Sequence, residues 1–404
     1  MLLKIAWRNI WRSKTRSIIV ILSIAFGIWS VAFLLSFSNG MVNSYIERSI
    51  NNELAHIQIH HPKFMDEPEL GYHLGDVQDL MDQISKDSTI KSYARRTLVY
   101  GMISTAKGAQ GIKISGISPE MESQVTSINN AMATGEYLSE SGKNPVIIGQ
   151  KLAKKLGAKE RSKVVLTFQD IDGNITAGAF RVKGIFETYN ALFDEGNVFV
   201  RRKDLNALLN DPVISHEIAL KIHDLHQLDH VKSAMKNAAP NLSVQKYSEI
   251  SPEVELYESQ ISIASIIIIG IVMLALIFGI INTMLMAVLE RYKELGILMA
   301  IGMNKVKVFF MIVIETILLA LIGAPIGIFI GWLSVRGFSE TGINLSSFSE
   351  GLRAYGISEL IYPELSTMLV GYLAIGIGIT AILASVYPAM KAIRLDPVSA
   401  IRKL

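Results

Sequence analysis

The sequence predicts a membrane α-helical protein carrying an α+β extracytoplasmic domain. Three observations predict it. Four long apolar segments are almost free of charge: Ser17–Ile46, Ser259–Leu289 and Leu365–Met390 hold no Asp, Glu, Lys or Arg, and Val308–Val335 holds only Glu315. Each exceeds the ~20 apolar residues that cross a bilayer as a helix. They are spaced one plus three, so that a long polar stretch lies between the first and second. Within that stretch, segments of strand and helix periodicity alternate. The 404 residues are 50% hydrophobic.

The charges orient the spans. Lys4, Arg8, Arg12, Lys14 and Arg16 precede the first; Arg291, Lys293, Lys305 and Lys307 separate the second from the third; Lys391, Arg394, Arg402 and Lys403 follow the fourth. The loop between the third and fourth holds Glu340, Glu350, Glu359 and Glu364 against Arg336 and Arg353. Cations stay on the cytoplasmic side. Both termini and the short second loop are therefore expected in the cytoplasm, with the large domain outside. A net charge of +3 is too small to argue for nucleic acid. The absence of cysteine excludes disulfides, so the outer domain must be held by its own core. The first span is too long for a cleavable signal and is expected to remain as an anchor.

In chain order, residues 1–16 read as an amphipathic helix on the cytoplasmic surface. Leu3, Ala6, Trp7, Ile10 and Trp11 share one face, and Lys4, Arg8 and Arg12 another, a pattern that fits an anionic membrane interface. Residues 17–46 form the first span. Residues 47–258 form the outer domain, as two nested units. Strands are expected at Glu53–His61, Thr97–Thr105, Gly111–Ile117, Glu217–His223 and Leu242–Lys246, with helices at Asp76–Ser85 and Leu228–Ala238. These βαβ patterns pair residues 50–117 with 213–250 into one α+β unit. Residues 118–212 are an inserted β-rich unit, with a short helix at Gln150–Leu156 ending at Gly157. Its strands are Lys163–Gln169, Ala179–Glu187 and Asn197–Val200, and Asp172-Gly173 signals a hairpin. The second span covers 259–289, a cytoplasmic helix 290–307, the third span 308–335, an outer loop 336–364, the fourth span 365–390 and a cytoplasmic tail 391–404.

Two features mark the third span. Gly323, Gly327 and Gly331 put a glycine on one face at every fourth residue, which permits close helix contact in lipid. Packing within one subunit explains this better than a subunit interface. Glu315 is an intramembrane carboxylate, a functional candidate by default. Two turns from the cytoplasmic end, it fits a local polar contact better.

Enzyme chemistry finds little support. No phosphate-loop motif GxxxxGK[ST] and no GxSxG context is present. His56, His60, His61 and His73 lack a ligand spacing for a metal, since His60 and His61 point to opposite strand faces. No catalytic residue, metal or bound cofactor is expected. The informative segment is Glu290–Lys307, ERYKELGILMAIGMNKVK. Its charged start, an apolar knob of Leu295, Leu298, Met299 and Ile301, and turns allowed by Gly296 and Gly302 suit a short helix docking into a groove on a cytoplasmic partner.

ERYKELGILMAIG resembles the ER-x-x-E-x-G-x-x-x-A-x-G signature of extracytoplasmic-domain permeases of ABC transporters, the type VII or mechanotransmission class. The opening AWRNIWRSKTRS (Ala6–Ser17) and the ending YPAMKAIRLDPVSAIR (Tyr387–Arg402) are similar to the family's ends, and the topology matches throughout. The resemblance implies a pair of permeases, identical or paralogous, bound to two copies of a cytoplasmic ABC ATPase that supplies ATP and Mg. It implies that Glu290, Arg291, Glu294, Gly296, Met299, Ala300 and Gly302 receive the ATPase motion. Helices at Ser36–Ile50 and Glu249–Ile263 would carry that motion outward as a stalk.

Within the class, Ser36–Phe64 looks like the span-one exit of lipoprotein-releasing permeases of the bacterial inner membrane, and no ATPase is fused to this chain. That resemblance implies an acylated lipoprotein substrate and a periplasmic lipoprotein chaperone. Phe33, Phe37 and Met41, with Ile263, Ile267 and Met273, would wall the cavity for acyl chains; the same residues could equally face lipid. Leu192 and Phe193, on a hairpin over Tyr189–Asn197, would meet a chaperone or partner, or fold back onto their own sheet. A macrolide- or toxin-exporter-type permease, or a signalling permease acting on a periplasmic partner, is the alternative.

Overall fold

The computed structural model describes residues 2–188, 190–354 and 356–394. The amphipathic start is helix α1 (Leu2–Arg12), followed by α2 (Lys14–Ser49). Next come β1 (Ile57–His60), α3 (Gln78–Lys86), β2 (Ile90–Thr105), β3 (Gly108–Ile117) and α4 (Pro119–Val125). Then follow β4 (Met132–Gly135), β5 (Pro145–Gly149), α5 (Gln150–Leu156), β6 (Lys163–Gln169), β7 (Ile175–Phe186), α6 (Ala191–Gly196), β8 (Asn197–Arg201) and α7 (Arg202–Leu208). The outer segment closes with β9 (Glu217–Ile222), α8 (Leu228–Ala238), β10 (Ser243–Lys246) and α9 (Tyr247–Ile250). The remainder is α10 (Pro252–Glu290), α11 (Tyr292–Ala300), α12 (Lys305–Ser339), β11 (Ile343–Asn344), α13 (Ser349–Ala354), β12 (Leu360–Ile361) and α14 (Thr367–Ile393). The chain divides into two compact units: residues 1–42, 258–344 and 360–404, and residues 43–257 with 345–359. The tail beyond Arg394, including most of the closing motif, lies outside the described residues.

The first unit is a helix bundle. Among the described residues four helices are long and apolar enough to cross a membrane, one before the outer segment and three after it. The glycine ridge of α12 packs within this chain. A Cβ on Gly323 would lie 3.0 Å from the Ile21 carbonyl oxygen, and one on Gly327 only 2.6 Å from that of Ala25. Glycine is what lets α12 approach the α2 backbone this closely. On α14, Leu373, Ile377, Ala381 and Ala384 are buried in the same core. Helix α10 stands apart: its most apolar window is 11% buried, against 44%, 50% and 39% in the other three. Two backbone contacts fasten the segment after β12 to α2. The Glu364 N–H donates to the Ser36 carbonyl at 3.0 Å, and Gly40 leaves room for the Tyr362 carbonyl.

The second unit has two sheets that share one strand. Strands run β10-β1-β9-β2, all antiparallel, with α3 connecting β1 to β2 and α8 connecting β9 to β10. This is a split βαβ arrangement. Leu80 and Ile84 of α3, with Val231 and Met235 of α8, bury against Ile57, Ile59, Ile218 and Leu220. The second half of β2, β3 and the residues between β3 and β9 build the other lobe, so Thr97–Ile117, expected in the α+β unit, belongs instead with the inserted residues, because it pairs with β6 and β8. There β2-β3-β8-β5-β7-β6 pair in sequence, and β6 pairs back to β2. The six strands therefore close into a ring filled by Val99, Ile103, Ile114, Val146, Ile148, Val164, Leu166, Phe180, Val182 and Val198. Strand β2 serves both lobes: Ile90–Arg96 pairs with β9, and Thr97–Thr105 with β3. Where β2 passes β6, Gly101 is needed, since a Cβ there would sit 2.5 Å from the Thr167 carbonyl oxygen.

Several elements differ from the sequence expectation. The strand expected from Glu53 begins at Ile57, because a π-helical turn over Ile50–Leu54 turns the chain first, ending at Ala55 with φ 54°. Strand β2 starts at Ile90, well before Thr97; its charged Arg95 and Arg96 hid the strand, and their partners lie far away in sequence. No hairpin forms at Asn190–Asn197. The Asn190 side chain accepts the N–H groups of Leu192 and Phe193 and starts α6 there. Tyr189 lies outside the described residues.

Candidate coupling site

The segment expected to meet a cytoplasmic partner is a helix bounded by two turns. Helix α10 ends at Glu290, Arg291 breaks the path, and α11 ends at Ala300. Gly302 has φ 101°, open to glycine at no cost. The Asn304 side chain then accepts the Val306 N–H and caps α12. The knob is divided by this geometry. Leu295 (2% exposed) and Gly296 are buried, and Met299 packs partly against the bundle core. Ile297 and Ile301 (80% exposed) carry the free apolar surface, with Ala300 and Gly302 beside them. Leu295 therefore belongs to the core and not to an exposed knob: at i+4 from Arg291 it falls on the face that α11 turns inward.

Three charges of ERYKE, Glu290, Arg291 and Glu294, pair within their own unit, whereas Lys293 is exposed. Arg12 of α1 pairs with Glu294 at 2.5 Å, and Arg16 at the start of α2 pairs with Glu290. Arg291 reaches Glu294 at 3.3 Å and Glu315 at 3.5 Å. Glu315 is thus the anchor of a half-buried arginine on the preceding loop, the local polar contact its position suggested. The result is a chain of alternating charge, Arg12–Glu294–Arg291–Glu315, that binds α1, α11 and α12 together. Sequence reading located the α11 charges but not their partners. The only signal was the Arg12 and Arg16 spacing, which also served topology.

Helix α1 completes the site. Ala6 and Ile10 are fully buried against the bundle, and Asn9 Nδ2 lies 3.9 Å from the Met311 sulfur. Leu3, Trp7 and Trp11 stay exposed, and the two indoles meet edge to face at 6.0 Å.

The other expected residues are placed as follows. Phe33, Phe37 and Met41 are half-buried on α2, with Phe33 edge-on to Phe338 at 6.1 Å. Ile263 and Ile267 are exposed on α10. Met273 does not share their face: it is buried, its terminal methyl 3.3 Å from the Cβ position of Gly376. In the outer unit Leu192 is 69% exposed, but Phe193 is buried among Phe186 and Phe199. Phe193 is therefore not an exposed tip; the helical turn of α6 drives it into an aromatic cluster.

The outer unit also holds a buried ion cluster that sequence reading missed. Arg96 makes two bonds to Glu122 (2.7 and 3.0 Å), one to Glu217 (2.5 Å) and one to the Glu53 carbonyl (2.7 Å). Burial works against the guanidinium charge, but the two carboxylates outweigh it and raise its pKa. Arg96 sits where β2 leaves one sheet for the other, so the cluster fixes that passage. Among the described residues no group of histidines and carboxylates is arranged to hold a metal.

A family model for the MacB-like periplasmic core domain matches residues 17–238, and one for the FtsX-like permease C-terminal region matches 266–397. The chain belongs to this family of ABC transporter permeases, the type VII class. It is 21% identical to the lipoprotein-releasing system transmembrane protein LolE of Haemophilus influenzae, over 97% of each chain. It is 30% identical to the macrolide export ATP-binding/permease protein MacB of Vibrio parahaemolyticus, over 39% of this chain and 21% of that one. The crystal structure of the periplasmic region of MacB from Actinobacillus actinomycetemcomitans covers 52% of this chain and 97% of its own, at 14% identity and a TM-score of 0.37.

Proposed function

We propose that this chain is the non-catalytic membrane subunit of an ATP-driven assembly that lifts lipoproteins out of the inner membrane. The observation that carries this reading is the match to a lipoprotein-releasing permease over 97% of each chain. The four apolar helices cross the membrane, both termini lie in the cytoplasm, and the residues between α2 and α10 lie outside. Two ATPase subunits dock beneath a pair of permeases. The exposed Ile297, Ala300, Ile301 and Gly302 edge of α11 offers the apolar contact for that docking, and the ion pairs behind it hold α11 to the bundle. ATP and Mg are held by the ATPase.

The physical demand fits. Each buried methylene of an acyl chain is worth ~0.8 kcal/mol, so a multi-chain anchor holds on the order of tens of kcal/mol. Extraction needs an apolar surface to replace lipid. Helix α10, the least buried of the four, presents Ile263, Ile266, Ile267 and Ile271. The half-buried Phe33, Phe37 and Met41 of α2 extend the available apolar surface.

A macrolide-exporter-type role is the second reading, favoured by the higher local identity to MacB. Affinity purification of the tagged chain from its own membranes, followed by identification of bound proteins, separates the two. A separate ATPase with acylated protein supports lipoprotein release. An ATPase with an outer-membrane channel and no acylated cargo replaces it with the second reading.

A further inference from the structure

The cations of the N-terminal helix fall into two sets. Arg12 and Arg16 are engaged by Glu294 and Glu290. Lys4 and Arg8 are exposed and have no ion-pair partner among the described residues. At 3.6 residues per turn they follow Trp7 and Trp11 around the helix. Helix α1 thus has three edges: Ala6 and Ile10 against the bundle, Leu3, Trp7 and Trp11 exposed and apolar, then Lys4 and Arg8 exposed and basic. No acidic residue lies within Leu2–Arg12. The apolar edge continues into Ile18, Ile19 and Leu22, also exposed, at the start of α2.

We propose that anionic phospholipid headgroups dock on Lys4 and Arg8, beside the two tryptophans, and that this docking steadies the clasp between α1 and α11. Charge complementarity selects the occupant. Indoles settle at the headgroup level of a bilayer, and cations beside them are drawn to an anionic leaflet. The same helix holds α11 through Arg12–Glu294, so the leaflet's charge becomes an input to the coupling segment. This extends the ATPase-coupled reading above. The lipid-docking part stands without that reading.

The test uses the full chain in nanodiscs, with Trp29→Phe and Trp332→Phe leaving only Trp7 and Trp11 fluorescent. Brominated phosphatidylglycerol, as a minor component in phosphatidylcholine, is expected to quench them at least two-fold more than brominated phosphatidylcholine at the same fraction. Lys4→Gln with Arg8→Gln should abolish the excess. Equal quenching by both lipids overturns the proposal. The second readout is ATP hydrolysis by the complex. It should rise at least two-fold with phosphatidylglycerol fraction in the parent and stay flat in the double variant. Excess quenching with no difference in ATPase response overturns the link to α11 alone. Failure of the chain to bind any ATPase bears on the functional reading and leaves the quenching result standing.

Discussion

Arg12 and Glu294 meet at 2.5 Å, although one lies in the first helix and the other in α11, beyond the second membrane-length helix. The Glu of the ERYKE motif therefore faces a partner in its own chain. Arg291 contacts the same carboxylate and passes the connection to Glu315.

Glu294→Lys should leave insertion and folding intact but uncouple ATP hydrolysis from substrate movement. The pair is half-exposed, and such pairs contribute about 0.2–1 kcal/mol, so the unfolding midpoint should move by no more than a few degrees. Arg12→Glu combined with Glu294→Arg should recover part of the coupling. Full coupling in the single variant would remove the role of this carboxylate.

Gly327→Val tests the ridge between α12 and α2. Its Cβ would press on the Ala25 carbonyl and the Ile28 side chain. Overpacking of this kind costs about 1–3 kcal/mol. Gly337→Ala meets nothing within 4 Å and should be neutral. Thermal unfolding of both variants in one detergent gives the comparison.

Arg96→Met would strand Glu122 and Glu217, which are 0% and 4% exposed. Removing one partner of a buried ion pair costs about 3–5 kcal/mol. Arg96→Lys should also be damaging, because an ammonium cannot reproduce the two-pronged bond to Glu122. Near-UV circular dichroism of the full chain should report the loss; unchanged unfolding of Arg96→Met would show that the cluster is dispensable.

Acid should weaken the outer unit. Burial holds the imidazoles of His56 and His216 down to about 4. In both, Nδ1 accepts a backbone N–H, from Ile222 at 3.0 Å and from Leu98 at 3.2 Å. The unfolded side chains protonate near 6.5. Between about pH 6.5 and 4 the unfolded chain binds more protons, so this stability is full above 6.5 and is lost as pH falls toward 4. Glu217, whose pKa burial raises, works in the opposite direction and offsets part of the loss. The unfolding midpoint should drop from pH 7 to pH 4.5, and His216→Gln should flatten the slope.

Phe193→Ala should destabilise by about 3–5 kcal/mol, as large core truncations do. Leu192→Ala should stay within about 0.5 kcal/mol. A partner-binding defect in the Leu192 variant alone would mark that exposed residue as the contact.

What could be read in the sequence follows the range of the interactions. The membrane-length helices announced themselves because charge is expensive in hydrocarbon. Helix α8 and strand β6 were legible from local periodicity, and α5 from the glycine that ends it, Gly157 in the left-handed conformation. Early β2 was hidden because Arg96 looks like a surface residue until Glu122 and Glu217 arrive from distant segments. Closure of the ring depends on β6 returning to β2, a pairing that no local pattern records. At the coupling site, the motif marked α11. Which of its residues face inward depends on α1 and α12, so Leu295 read as a knob when it is core.

Strand β2 belongs to both lobes of the outer unit. Its Ile90–Arg96 half is laced to β9 and its Thr97–Thr105 half to β3 and β6. A joint of this kind has no slack. Were one lobe to be pulled, the load would run along a single peptide backbone into the other, like tension along a shared spar. The two lobes are therefore coupled through a continuous strand, and neither half of β2 can shift along its own sheet without drawing on the register of the other.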